Sequence, residues 1–378
     1  MALKEPRFTI GIEEEYLLVD RKTRALASEP PSEMLARCNE RSQGLVQPEF
    51  LKAQIEIGTK VCDTVGEART HLASLRTNVS DVVSEYGLAP IAASTHPFSS
   101  WKKQVHTDKD RYRELAEAMQ GVVRRLLICG MHVHVGIDDD DLRIDLLNQA
   151  SYFLPHLLAL STSSPFWRGE NTGLKSYRLS VFDELPRSGL PERFDTFVDY
   201  QRHVDVLIDT GVIPDSSMIW WDLRPSLKYP TLELRITDVC THVDDAAAVA
   251  ALYQCLLRML YRFRRGNQRW RIYANMLISE NRWRAKRYGI DEGLIDFGRG
   301  EMVPFEQLVD ELLDMLAEDG EALNCQNELA HVRTILKEGT SAHKQCRVYQ
   351  ELIDAGKPRE EALDGVVDWL IETTVADL

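Results

Sequence analysis

The chain has 378 residues, 44% of them hydrophobic, and a formal net charge of −14. An acidic balance of that size argues against a nucleic-acid backbone as partner, since proteins that bind one carry a basic excess. The seven cysteines have no C-x-x-C pair, the amino terminus lacks an apolar signal region, and no run approaches the ~20 apolar residues of a membrane span, so a soluble cytoplasmic protein with buried thiols is expected.

The first element is a strand over 8–19 containing GIEEEYLLVD (Gly11–Asp20). Side chains alternate on a strand, so Glu13 and Glu15 share one face, while Ile12, Glu14 and Tyr16 share the other. Two carboxylates one pleat apart repel by roughly 2–4 kcal/mol at an effective dielectric near 20. Either water surrounds them or a cation lies between them. A second strand covers 51–57, where Gln54 and Glu56 oppose Ala53, Ile55 and Ile57. The segment 64–87 reads as a helix, with Leu72, Leu75, Val79, Val82 and Val83 on one face and Gly87 as its stop. A short apolar strand over 88–93 leads into the loop STHPFSSW, and a polar helix is expected over 108–121.

The next strand, 126–137, contains GMHVHVG, in which His132 and His134 face one side and Val133 and Val135 the other. Helices follow at 140–160 and 191–210. Strands return at 218–224, where Trp220, Asp222 and Arg224 share a side, and at 231–237, where Glu233 and Arg235 oppose Leu232, Leu234 and Ile236. From Asp244 the pattern is helical nearly to the end, over 244–264, 270–287, 304–317, 321–337, 341–355 and 358–375. Strands in the first two-thirds and helices in the last third favour an α+β fold with an antiparallel or mixed sheet. One catalytic domain is expected over 1–378, with the sheet in 8–240 and a mostly helical part over 243–378 packed on it.

Taken singly, each of these strands reads as the solvated face of a half-exposed sheet. Together they line one open face with Glu, His, Asp and Arg. Glu13, Glu15 and Glu56, with Glu233 near by, make a hard oxygen cage suited to Mg²⁺ or Mn²⁺. His132 and His134 join that cage or are hydrogen-bonded core histidines. Arg235 either stabilises charge on a transferring phosphoryl group or forms a salt bridge to Glu56 or Glu13. A run of basic residues from Arg258 to Arg287, which includes Arg284, reads as an anion site or as a solvated helix face. Walker A, G-x-G-x-x-G and G-x-S-x-G motifs are all missing from the sequence.

GIEEEYLLVD, STHPF, GMHVHVG, SSPFWRGENTGLKSYR (Ser163–Arg178), WWDLRPS, TLELRITD and ENRWRAKRYG together resemble the type 2 glutamate–cysteine ligases, the bacterial carboxylate–amine ligase family. More distantly, IEEEY, GMHVHV and LELRITD are similar to the metal-binding strands of glutamine synthetase. The resemblance implies a curved, mainly antiparallel sheet with helices on one face and an active-site funnel on the other. It implies Glu13, Glu15, His132 and Glu233 as metal ligands, with Glu56 added from its strand pattern. His134 and Arg235 would face the nucleotide phosphates as catalytic groups, with Arg284 also toward the nucleotide. Arg178 and Arg224 are assigned to substrate carboxylates. The activity implied is ATP-dependent amide formation with Mg²⁺ or Mn²⁺, joining glutamate to cysteine on small-molecule substrates, in a chain that could form a homodimer. The rival readings are a metal-dependent phosphotransferase of the guanidino-kinase type and a non-catalytic ATP- and metal-binding module.

Overall fold

The computed structural model describes residues 4–108, 113, 117 and 119–378. The helix expected over 108–121 falls largely outside the described residues. A seven-stranded sheet occupies the first two-thirds of the chain: β1 (Ile10–Asp20), β2 (Val46–Pro48), β3 (Gln54–Gly58), β4 (Leu88–Ile91), β5 (Met131–Gly136), β6 (Leu223–Pro225) and β7 (Thr231–Leu234). Its order is β6-β7-β5-β1-β3-β2, and every pairing is antiparallel. β1 is long enough to pair with β5 through Ile10–Glu14 and with β4 through Leu17–Asp20 on the same edge.

The helices are α1 (Ser32–Arg41), α2 (Val65–Ser84), α3 (Asp140–Ala150), α4 (Leu154–Ser161), α5 (Arg178–Phe182), α6 (Phe197–Asp209), α7 (Val243–Arg265), α8 (Asn275–Tyr288), α9 (Phe305–Ala322), α10 (Gln326–Glu338), α11 (Ser341–Asp354) and α12 (Arg359–Thr374). The α+β class and the helical final third agree with the sequence pattern. Two details differ. The single helix expected over 140–160 is divided by a tight turn at Ser151–Phe153, because Pro155 has no N–H for a continuous ladder. The final third also holds a small hairpin, Leu294–Asp296 with Glu301–Val303, whose short strands carry too little alternation to be read.

α2 starts where the Thr64 side chain accepts the Glu67 N–H, and it turns out of the helix at Gly87, which has a positive φ of 72°. The apolar face of α2 and the alanine-rich start of α7 cover one side of the sheet, and a continuous core joins them to Ile10, Ile12, Leu17, Val133 and Leu234. Ala246, Ala247, Ala250 and Ala251 are all buried, and side chains this small let α7 approach the sheet closely.

This covered side contains one charged cluster. Glu14 and Arg76 are 0% and 1% exposed and meet in a two-bonded pair at 2.7 and 3.0 Å. The Tyr16 hydroxyl donates to the same carboxylate. Arg76 Nη1 donates to the Thr241 carbonyl at 2.6 Å, and Nη2 donates also to the Cys240 carbonyl at 2.8 Å. The guanidinium therefore stitches β1 to the segment that enters α7. A buried ion pair survives only when its other donors and acceptors are also satisfied, as they are here. Among the described residues no helix is long and apolar enough to cross a membrane.

Candidate active site

The opposite side of the sheet forms the floor of a cavity of about 1460 Å³. Strand register decides what meets there. Glu13 on β1 sits opposite His132 on β5, and Glu15 sits opposite Glu56 on β3. His134 sits opposite Glu233 on β7, which in turn sits opposite Arg224 on β6. Cross-strand partners lie about 4.5–5.5 Å apart at Cβ, so five adjacent strands converge their polar side chains.

The convergence resolves into two groups. In the first, Glu13, His134 and Glu233 each offer one ligand atom, and these atoms lie within 4.8 Å of one another. Glu13 lies between the two imidazoles, 3.4 Å from His132 Nδ1 and 3.5 Å from His134 Nε2. The other His134 nitrogen is hydrogen-bonded to Thr231 Oγ1 at 2.9 Å, which fixes the ring. Burial works to raise the Glu13 pKa, but hydrogen bonds and charge from His132 and His134 outweigh it and hold the carboxyl below its usual range. Burial, with Arg235 beside it, pushes His132 down to about 4, so this ring is neutral at pH 7. His134 is raised instead, because its contact with Glu13 and the charge of Glu233 exceed the cost of burial.

Glu233 is gripped on two sides. Arg224 meets it through Nε at 2.9 Å and Nη2 at 3.2 Å, and Arg235 donates from Nη1. These guanidiniums overcome burial and keep the carboxyl well below its ordinary pKa. Arg235 Nε is buried and makes no hydrogen bond, a donor held without an acceptor beside the cavity. Oxygen donors from two carboxylates, one imidazole and an unanswered guanidinium donor fit a divalent ion with an anionic ligand.

The second group is acidic. Glu15 accepts the Gly130 N–H at 2.8 Å, and burial together with Glu49 pushes its pKa up to about 7. Burial, with Glu13, Glu49 and Glu15 near by, raises Glu56 well above the usual range. Glu15 and Glu56 thus stand apart from the tight cluster around Glu13. They lie with Glu49, which alternation could not reveal because it belongs to the loop after β2. Three carboxylates crowded at one wall of the cavity are a second place where positive charge is wanted.

Several expected residues have other partners. Arg284 is a correction: its guanidinium donates to the Gly293 carbonyl at 2.8 Å and to Glu292 at 3.2 Å, and it does not line the cavity. It lies on α8, turned toward the small hairpin rather than the sheet. Asp222 also leaves the open face, since the chain bends between Trp221 and Leu223 and its buried carboxylate pairs with Arg282 at 2.7 Å. The basic run is not a free anion site: part of it, Arg264, Arg265, Arg269 and Arg271, is solvated, and most of its guanidiniums hold acids from distant segments. Arg258 and Arg262 hold Asp319, Arg264 and Arg269 hold Asp145, and Arg282 holds Asp183 and Asp222. Arg178 lines the cavity but donates to the backbone carbonyls of Arg235 at 3.1 Å and Ile236 at 3.2 Å, which positions β7 beside Glu15. Arg224 likewise lines the cavity while holding Glu233 and the carbonyls of Ser217 and Ile219.

Residues 9–368 match the sequence profile of glutamate–cysteine ligase family 2. A protein from Rhodospirillum rubrum named "Putative glutamate--cysteine ligase 2" is 62% identical over 380 residues, covering 100% of this chain and 98% of its own. A protein of the same name from Jannaschia sp. is 53% identical, covering 99% of this chain and 98% of its own. Among solved structures, glutamate–cysteine ligase from Francisella tularensis in complex with AMP aligns with a TM-score of 0.69 at 14% identity, over 99% of this chain and 90% of that one. The bifunctional glutathione synthetase from Pasteurella multocida aligns with a TM-score of 0.68 at 15% identity, over 97% of this chain, which spans about half (52%) of that enzyme. At such identities the two structures speak to the fold.

Proposed function

The chain belongs to glutamate–cysteine ligase family 2 and is an ATP-dependent ligase forming a carbon–nitrogen bond, and from that premise we propose that it joins the side-chain carboxylate of L-glutamate to the amine of L-cysteine through an acyl phosphate. A carboxylate oxygen attacks the γ-phosphorus, ADP leaves, and the amine nitrogen then displaces phosphate from the acyl carbon with loss of a proton. The prior activation is needed because a bare carboxylate is a poor electrophile with no competent leaving group.

The observation that carries this reading is the meeting of Glu13, His134 and Glu233 ligand atoms within 4.8 Å on the cavity floor, beside the unanswered Arg235 Nε. Glu13, His132, His134 and Glu233 would hold Mg²⁺ or Mn²⁺, with Glu15 and Glu56 the ligands of a further ion. Such an ion neutralises phosphate charge and orients the phosphoryl group for in-line transfer. Arg235 is suited to the same phosphoryl oxygens, and Arg224 fixes the carboxylate of Glu233. Arg178 acts here by positioning the strand. Substrates are small amino acids, and the free state of all seven cysteines, six of them buried, supports action in the reducing cytoplasm.

The test is ADP release from ATP, measured with and without glutamate and with a panel of amines. Release that requires both glutamate and cysteine, matched by amide product, is expected. ADP formation without amide would turn the reading toward a phosphotransferase, and binding of ATP with no turnover toward a sensing module.

A further inference from the structure

Far from the cavity floor, two histidines and an aspartate meet where α7 begins. His242 is the residue capping α7, Asp245 lies in its first turn, and His331 reaches in from α10. One ligand atom from each lies within 4.8 Å of the other two. His331 Nε2 is 2.8 Å from Asp245 Oδ1, and the two imidazole rings are nearly parallel, 12° apart with centroids separated by 6.3 Å. Asp377, beyond α12, brings Oδ2 to 3.1 Å from His242 Nε2. None of these side chains lines the large cavity.

A simple ion pair accounts for one imidazole on one carboxylate. The second imidazole is held separately, with Nδ1 of His242 accepting the Asp244 N–H at 3.3 Å and Nε2 at Asp377, and these contacts bring it parallel to the first so that both rings converge with Asp245. The surroundings are built for positive charge. Asp244, Asp245 and Asp377 lie around the rings, against two cations among the described residues: Arg69, which donates to Asp244 at 2.8 Å and to the Asp377 carbonyl at 2.7 Å, and Lys344 beside His331. The partial positive charge of the α7 amino terminus opposes a cation there, but it amounts to about half a charge and the carboxylates exceed it.

We propose that His242, Asp245 and His331 form a second divalent-metal site, taking an imidazole-preferring transition ion such as Zn²⁺. Two imidazoles and one carboxylate favour Zn²⁺, Co²⁺ or Ni²⁺ over Mg²⁺, which demands oxygen donors. Tetrahedral ligation at about 2.0–2.2 Å places donor atoms about 3.3–3.6 Å apart, so a pair at the 4.8 Å limit draws in by about an ångström or more, which rotation of the histidine side chains supplies. His242 and His331 are partly exposed, which leaves them room to move and leaves the ion a path in. The bound ion staples α7 to α10 and, through Asp377, to the segment after α12. Its role is to hold the helical third against the sheet.

The test uses untagged full-length protein stripped with chelator, in a Glu13→Gln/Glu56→Gln background that weakens cation binding in the cavity. Equilibrium dialysis with Zn²⁺, visible absorption with Co²⁺ and thermal melting are read together. One equivalent of Zn²⁺, tetrahedral Co²⁺ bands and a rise of several degrees in Tm are expected, and all three should vanish on adding His331→Ala. His331→Gln, which keeps the contact with Asp245 but not a strong ligand, should lose them too and serves if the alanine variant misfolds. Unchanged stoichiometry or Tm response in the His331 variants would overturn the site, as would a Tm rise without stoichiometric binding.

Discussion

The two faces of β1 carry consecutive glutamates into opposite circumstances. On the covered face Glu14 is sealed with Arg76 and Tyr16, each donor and acceptor answered by the protein itself. On the open face Glu13 and Glu15 stand beside imidazoles and other carboxylates, with an unanswered guanidinium donor close by. Burial separates them only in part, Glu14 being fully buried and Glu13 and Glu15 half-buried on the cavity floor. What differs is whether the charge is closed within the fold or left for something brought from outside. A closed charge holds structure, and an open one marks chemistry.

The sharpest way to break that contrast is to neutralise one acid on each face. Glu13→Gln should lower ADP release with glutamate and cysteine roughly a thousandfold or more, because it removes a carboxylate ligand of the proposed cation. Its Tm should fall only slightly, because the half-buried carboxylate loses its contacts with His132 and His134. Glu14→Gln should do the reverse, costing about 3–5 kcal/mol in a urea melt by leaving Arg76 buried without its counter-charge. The molecules that remain folded should keep their affinity for ATP. Replacing Arg76 with Met in the same chain should recover only part of the loss, because the carbonyls of Cys240, Thr241 and Thr374 then lack their donor.

The far end of β1 offers a smaller test. His96, in the loop after β4, accepts the N–H groups of Phe98 and Ser99 and is tied through Nε2 to the Arg24 carbonyl, just past β1. Burial pushes its pKa down to about 4. A depressed histidine contributes fully above its unfolded pKa of about 6.5, and that stability fades as pH falls toward 4, by about 3 kcal/mol at the limit. Urea melts between pH 7 and 4 should show this slope, and His96→Gln should flatten it. The smallest effect is expected at Glu56→Gln, which should raise metal-free stability by about 1–2 kcal/mol by thinning the acidic wall around Glu15 and Glu49. Added Mn²⁺ should then stabilise the native chain more than the variant.

Much of this was legible in the sequence because a strand's alternation has a period of two and survives any tertiary context. Glu13, His132, His134, Glu233, Arg224 and Arg235 sit on the open face, on the side their patterns assign. Alternation carries no information about loops or bends, which is why Glu49 went unseen and Asp222 was placed on the wrong side. It also says nothing of partners. The basic run around Arg258–Arg287 could not be told from an anion site until Asp145, Asp183 and Asp319 came in from distant segments. One hint was present: Arg76 falls four residues after Leu72 on the otherwise apolar face of α2, and a guanidinium in that position implies a buried acid to meet it.

The pairing of Arg76 with Glu14 also bears on how the chain finds its alignment. A slip of β1 by a single residue would turn Glu13 and Glu15 inward together and expel Glu14, since each step inverts the strand. Behind the sheet there is one guanidinium in this cluster to receive them, aimed at one position. The misaligned strand would therefore shut a carboxylate into oil with no counterpart, and its pairing would reopen. In this sense the buried arginine proofreads the strand whose other side does the work.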